Sequence, residues 1–85
     1  MLKLQRSNAF KRDFKKHGEL DTALIKVLYL LLNNETLPPK YKDHDLIGNY
    51  KGFRECHIKP DLLLIYQKDD EYLSLARLGS HSELF

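Results

Sequence analysis

Apolar residues recur along this chain with two different spacings, and the change of spacing separates a helical part from a strand-forming part. In the first part, Phe10, Phe14 and His17 fall at i, i+4 and i+7 and share one helix face, while Lys11 with Lys15 and Arg12 with Lys16 share the opposite one. Ser7 is placed to cap this helix and His17-Gly18 to end it. His17 can interact with the dipole at that terminus, so it reads as structural. Asp21 caps a second helix, in which Leu20, Leu24, Val27, Leu28 and Leu31 recur at helical spacing up to Asn33-Asn34. Pro38-Pro39 forbids its continuation.

The remainder reads as strand. A short strand over residues 2–6 precedes the helices, and three more occupy residues 53–58, 61–67 and 72–78, with a corner at Lys59-Pro60 and a turn at Asp69-Asp70. Residues 40–52, KYKDHDLIGNYKG, are polar with two glycines and read as a long loop. Gly79 breaks the last strand, and Ser80-x-x-Glu83 fits a capping box that would start one helical turn and direct His81. Phe85 either staples that turn to the core or stands exposed as a flat stacking surface.

This order predicts an α+β fold: two N-terminal helices packed on one face of a small antiparallel sheet of about four strands, with a short C-terminal helical turn. The first strand pairs with one of the later ones, and the face away from the helices stays open, either to solvent or to a ligand. Eighty-five residues form one domain, residues 1–85, and a chain of this size hides only about 60% of its unfolded surface.

Composition narrows the class. Apolar residues make up 42% and charged residues 31%, with no run long enough to span a membrane. Charge follows Met1-Leu2-Lys3-Leu4 at once, unlike a secretory signal, which places the chain in the cytoplasm. Cys56, the single cysteine, has no disulfide partner and reads as a small buried hydrophobe. Residues 1–43 hold nine Lys/Arg against five Asp/Glu, and residues 44–85 five against seven. The positive charge concentrates in KRDFKKH, so Lys11, Arg12, Lys15 and Lys16 form a basic ridge that either is solvated or meets a polyanion.

Five side chains could carry chemistry at one end of the sheet. They are His44 in the loop, His57 before the hairpin corner, Asp61 after it, Arg77 near the end of the last strand, and His81 in the final turn. This set suits RNA cleavage without a metal or other cofactor, because the ribose 2′-hydroxyl is the substrate's own nucleophile. Imidazoles titrate near neutrality and serve as base or acid, and a guanidinium matches phosphate oxygens bidentately. Arg77 shares parity with Leu73 and Leu75 and should face the helices. Either a bulge near Ala76 re-aims it or its stem reaches around the strand end. Two other readings use the same residues: His44, His57, Asp61 and His81 could bind a divalent ion, or the protein could bind RNA without cleaving it.

YKDHDLIGNYKGFRECHIKPDLLLIY followed by RLGSHSELF closely resembles the YafQ branch of the RelE-like toxins, small bacterial ribonucleases encoded beside an antitoxin. The resemblance is dense over residues 40–85 and rests on Lys-Asp-His, His-x-x-Pro-Asp and Arg-x-Gly-x-His in combination. It implies proton transfer at the ribose by His44, His57 and Asp61, a phosphate held by Arg77, and His81 as acid for the leaving oxygen. Phe85 corresponds to an aromatic that stacks on an mRNA base. Leu62 departs from relatives with an aromatic after Pro-Asp, so no base platform is expected there and codon preference does not carry over. The resemblance further implies cleavage of mRNA on the ribosome, with the basic ridge on ribosomal RNA. A cognate antitoxin would restrain the toxin, and operator DNA would be contacted only through that antitoxin.

Overall fold

Four consecutive residues of one strand, Leu63, Leu64, Ile65 and Tyr66, are at most 1% exposed, which requires cover on both faces of the sheet. They lie in the computed structural model, which describes residues 1–17 and 20–85. Five strands, β1 (Lys3–Arg6), β2 (His44–Asp45), β3 (Arg54–Lys59), β4 (Leu62–Lys68) and β5 (Tyr72–Gly79), form one sheet in the order β1-β5-β4-β3-β2. Strands β2 to β5 are an antiparallel meander. Its last turn is tied by the Asp69 carboxylate, which accepts the amides of Glu71 and Tyr72 at 2.8 and 2.7 Å.

Two features correct the expected antiparallel sheet of about four strands. A fifth, two-residue strand, β2, forms inside the segment read as loop. The first strand runs parallel to β5, with Leu4 opposite Leu73 and Arg6 opposite Leu75. Its direction follows from where the chain must go next. The Ser7 amide donates to Leu75 O and its hydroxyl to Ala76 O at 2.7 Å, which launches the following helix across the face beside β5.

That helix is α1 (Asn8–His17), capped as expected by Ser7 Oγ accepting the Phe10 amide at 2.9 Å. Gly18, expected to end it, lies outside the described residues. Helix α2 (Thr22–Leu32) is capped by Asp21, which accepts the Leu24 amide at 2.9 Å. Phe10, Leu24, Val27 and Leu31 pack with Cys56, Ile58, Leu64, Tyr66, Leu73, Leu75 and Leu78 into the main core. Leu20, placed by periodicity on the α2 stripe, precedes that helix and is 72% exposed.

The second face is not left open. Leu46, Tyr50 and Phe53 fold over it beside Leu63, Ile65 and Ala76, and Leu84 of α3 (His81–Leu84) closes the cluster. The loop reaches there through a 3-10 turn over Gly48–Tyr50, entered with Gly48 at φ 69°, a conformation that disfavours side chains. Leu84 is therefore the apolar anchor of the terminal turn, and Phe85 remains 52% exposed.

Candidate active site

Strand alternation sets the site. On β3, Cys56 and Ile58 face the helices and are buried, so Glu55 and His57 face the other way, as expected for His57. Residues 55 and 57 are neighbours on one face of the strand, and β2 places His44 directly opposite Glu55. Glu55 Oε1 lies 3.4 Å from His57 Nε2 and 3.8 Å from His44 Nε2. Glu55 is 4% exposed, so one buried carboxylate stands between two imidazoles. His44 is held from its other side, with Nδ1 2.7 Å from Lys42 O.

The loop carrying His44 is anchored through Asp43. Its carboxylate accepts the Tyr66 hydroxyl at 2.5 Å and Arg54 Nη2 at 2.8 Å, while Arg54 Nη1 also reaches Asp45 at 2.5 Å. Burial first, and then the Asp43 carboxylate, push the Tyr66 phenol well above its ordinary range, so it stays a donor. Burial likewise raises the Cys56 thiol, in keeping with a packing role.

His57 is aligned with Leu63 of β4, and Leu63 with Gly79 of β5, so His57 and the start of α3 stand two strand spacings apart, about 10 Å. A Cβ at Gly79 would come within 3.3 Å of Glu83 Oε1 and 3.4 Å of Leu84, so the absence of a side chain lets α3 fold back tightly. Asp61 bridges the gap from the hairpin side: its Oδ1 accepts the His81 amide at 3.3 Å. Asp61 thus bonds α3, and the carboxylate at ion-pair distance from His57 is Glu55.

Arg77 reaches the second face through a bulge. Tyr66 pairs with Leu75 and Ile65 with Arg77, which leaves Ala76 as the extra residue. Of the two ways to resolve its parity, the bulge is the one observed. Arg77 Nε donates to Asp13 Oδ2 at 2.7 Å and Nη2 to Asp13 Oδ1 at 3.3 Å, and the Leu78 amide also donates to Asp13 at 3.0 Å. Burial pushes the Asp13 carboxyl up, but the Arg77 and Leu78 donors outweigh it and hold it below its usual range. The same pairing raises Arg77, with Tyr50 adding to it.

The terminal turn has the expected capping box. Glu83 Oε1 accepts the Ser80 amide at 2.9 Å, and Ser80 Oγ accepts the Glu83 amide. Glu83 also accepts from Lys16 at 3.0 Å and lies 3.0 Å from His17 Nε2, which ties α1 to α3. The Ser80 amide, with Lys16 next, holds the Glu83 carboxyl down at about 2. His17 is structural, as its position implied. Of the basic ridge, Lys11, Arg12 and Lys15 are exposed, and Lys16 is engaged by Glu83. The ring of Phe85 lies 5.1 Å from that of His81 and 5.7 Å from that of Tyr50.

The structure therefore brings His44 and His57 together around Glu55, sets Asp61 and His81 on the facing rim, and holds Arg77 nearby through Asp13. Sequence reasoning missed Glu55 and Asp13. The first carried a signal, since it shares parity with His57 two residues away. The second lies 64 residues from Arg77 and carried none.

The profile of the bacterial toxins of type II toxin-antitoxin systems named YafQ matches residues 2–85. The mRNA interferase toxin YafQ of Escherichia coli K12 is 42% identical over 83 residues, covering 95% of this chain and 88% of that protein. A copper-bound mutant toxin from Helicobacter pylori superposes with a TM-score of 0.92 at 50% identity over the whole of both chains. The toxin in the E. coli DinJ-YafQ complex superposes with 0.85 at 36% identity, covering all of this chain and 99% of that one. With nearly its whole length matched, this chain belongs to the YafQ family of type II toxin-antitoxin toxins.

Proposed function

We propose that residues 1–85 are a toxin domain that cleaves mRNA by attack of the ribose 2′-hydroxyl on the adjacent phosphate. The observation that carries this reading is the buried Glu55 carboxylate 3.4 Å from His57, on the sheet face shared with Arg77 and across two strands from His81. His57, with His44 beside it, takes the 2′-hydroxyl proton, and Glu55 stabilises the imidazolium that forms. The 2′-oxygen bonds to phosphorus, the bond from phosphorus to the 5′-oxygen breaks, and His81 gives that oxygen its proton. Asp61 fixes the His81 backbone, and Arg77 carries the phosphate charge in a bidentate grip. The products are a 2′,3′-cyclic phosphate and a 5′-hydroxyl.

Exposed Phe85, beside His81, supplies a stacking surface for a base. The message is cut on the ribosome in the cytoplasm, where Lys11, Arg12 and Lys15 meet ribosomal RNA and Lys16 contributes after leaving Glu83. Among the described residues no helix is long and apolar enough to cross a membrane. A cognate antitoxin restrains the toxin, a reading supported by the relative solved as a DinJ-YafQ complex. Operator DNA is reached only through that antitoxin.

The test is to add the protein to a reconstituted translation system and map the 5′ ends of the message, with a ribosome-free control and the Arg77→Ala variant. Cuts confined to ribosome-bound message and lost in the variant are expected. No cuts, or cuts undiminished in the variant, would overturn the proposal.

A further inference from the structure

The second face of the sheet does not end at the candidate active site. Beyond Tyr50 it opens into a cleft of about 440 Å³ lined by Gln5, Arg6, Phe53, Gln67, Ser74 and Ala76 among others. Three of these form one row across three strands, because Gln5 pairs with Ser74 and Ser74 with Gln67. The row is partly pre-oriented. Ser74 Oγ donates to Gln5 Oε1 at 3.1 Å, so Gln5 keeps its NH₂ as a donor. Gln67 Nε2 donates to Gly52 O at 3.2 Å, so Gln67 keeps its carbonyl oxygen as an acceptor. The half-buried Phe53 lines the cleft on the β3 side of Gln67, and the exposed Arg6 lines it on the β1 side, next to Gln5.

This is the chemistry that recognises a nucleobase: an aromatic face to stack on, an amide donor and an amide acceptor to meet its polar edge, and a guanidinium for the attached phosphate. The cleft is also continuous with the catalytic end. Phe53 meets Tyr50 edge-on at 6.4 Å, Tyr50 meets Phe85 at 5.7 Å, and Phe85 meets His81 at 5.1 Å, which gives an unbroken aromatic row. Ala76, in the cleft, immediately precedes Arg77. Phe53 stands four residues from His57, about 13 Å along the strand.

We propose that this cleft is a base-binding subsite for a nucleotide flanking the scissile bond, read by Gln5 and Gln67. The inference rests on the ribonuclease reading above and extends it from the reacting phosphate to the neighbouring sequence. These residues touch no reacting atom, so they act on the placement of the message.

The test is a coupling experiment on synthetic mRNAs bound to ribosomes, each with one abasic nucleotide at a position within three of the cut. Single-turnover cleavage is compared for the wild type and for the double variant Gln5→Ala, Gln67→Ala. Both side chains are exposed, and a thermal melt confirms that the variant is folded. At one flanking position, base removal should slow the wild type about tenfold. The variant should be slowed about tenfold on intact message and no further on the abasic one. Multiplicative losses at every position, or no effect at any, would overturn the subsite while leaving the ribonuclease reading in place. Failure of the wild type to cut intact message would overturn both.

Discussion

Asp13 of α1 accepts Arg77 Nε at 2.7 Å and the Leu78 amide at 3.0 Å, so a helix residue holds both the guanidinium of the last strand and the backbone after it. A charge-assisted pair of this kind fixes a long side chain that would otherwise sample many rotamers. Asp13→Asn keeps the shape but weakens the grip. We expect cleavage of ribosome-bound message to fall about tenfold, with stability lowered by about 1–3 kcal/mol as donors lose a charged acceptor. Denaturant unfolding and single-turnover cleavage measure the two effects. Cleavage at the wild-type rate would show that Arg77 does not need this anchor.

Glu55 is the carboxylate beside His57, at 4% exposure. Glu55→Gln preserves its volume and removes its charge, so the imidazolium formed during proton transfer loses its stabilising partner. A rate loss of about 10²-fold is expected, the lower range for one acid–base component. An equal loss on replacing Asp61 with Asn, and none on replacing Glu55, would restore Asp61 as the partner of His57.

Acid should loosen the terminal turn. The Glu83 carboxyl is held down at about 2 in the folded chain by the Ser80 amide and by Lys16, against an ordinary value of 4.5. A depressed carboxyl contributes stability that is fully present above the unfolded value and is lost as pH falls through the folded one. Thermal midpoints should therefore drop between about pH 5 and pH 2, and Glu83→Gln should flatten that part of the curve. Identical pH profiles for the two proteins would remove Glu83 from the account.

Lys11 and Lys15 lie one turn apart on the exposed side of α1. Reversing both to Glu should weaken ribosome association and reduce the slope of log affinity against log salt, because fewer counterions are released. Sedimentation with ribosomes over a salt series measures this. An unchanged slope would mark the ridge as a solvated surface.

Local features were legible in the chain. Ser7, Asp21 and Ser80 all cap the helices they precede, and Asp69 makes its turn, because each bonds an amide two or three residues away. The direction of His57 followed from alternation alone. The loop over residues 40–52 was harder, since its polar composition hid Leu46 and Tyr50, which find apolar cover only once β4 lies beneath them. The unbroken apolar run of β4 was a sign that both faces would be covered.

What the sequence by itself determined is therefore what depends on neighbours along the chain: helix and strand periods, caps, turns and the side of the sheet that each strand residue takes. Tertiary structure decided the rest. The parallel direction of β1, the bulge that frees Arg77, the Asp13 clamp and the approach of His44 to Glu55 all join separate segments of the chain. Such contacts arise only when the packing of both sheet faces fixes every strand at once, and no local spacing encodes that geometry.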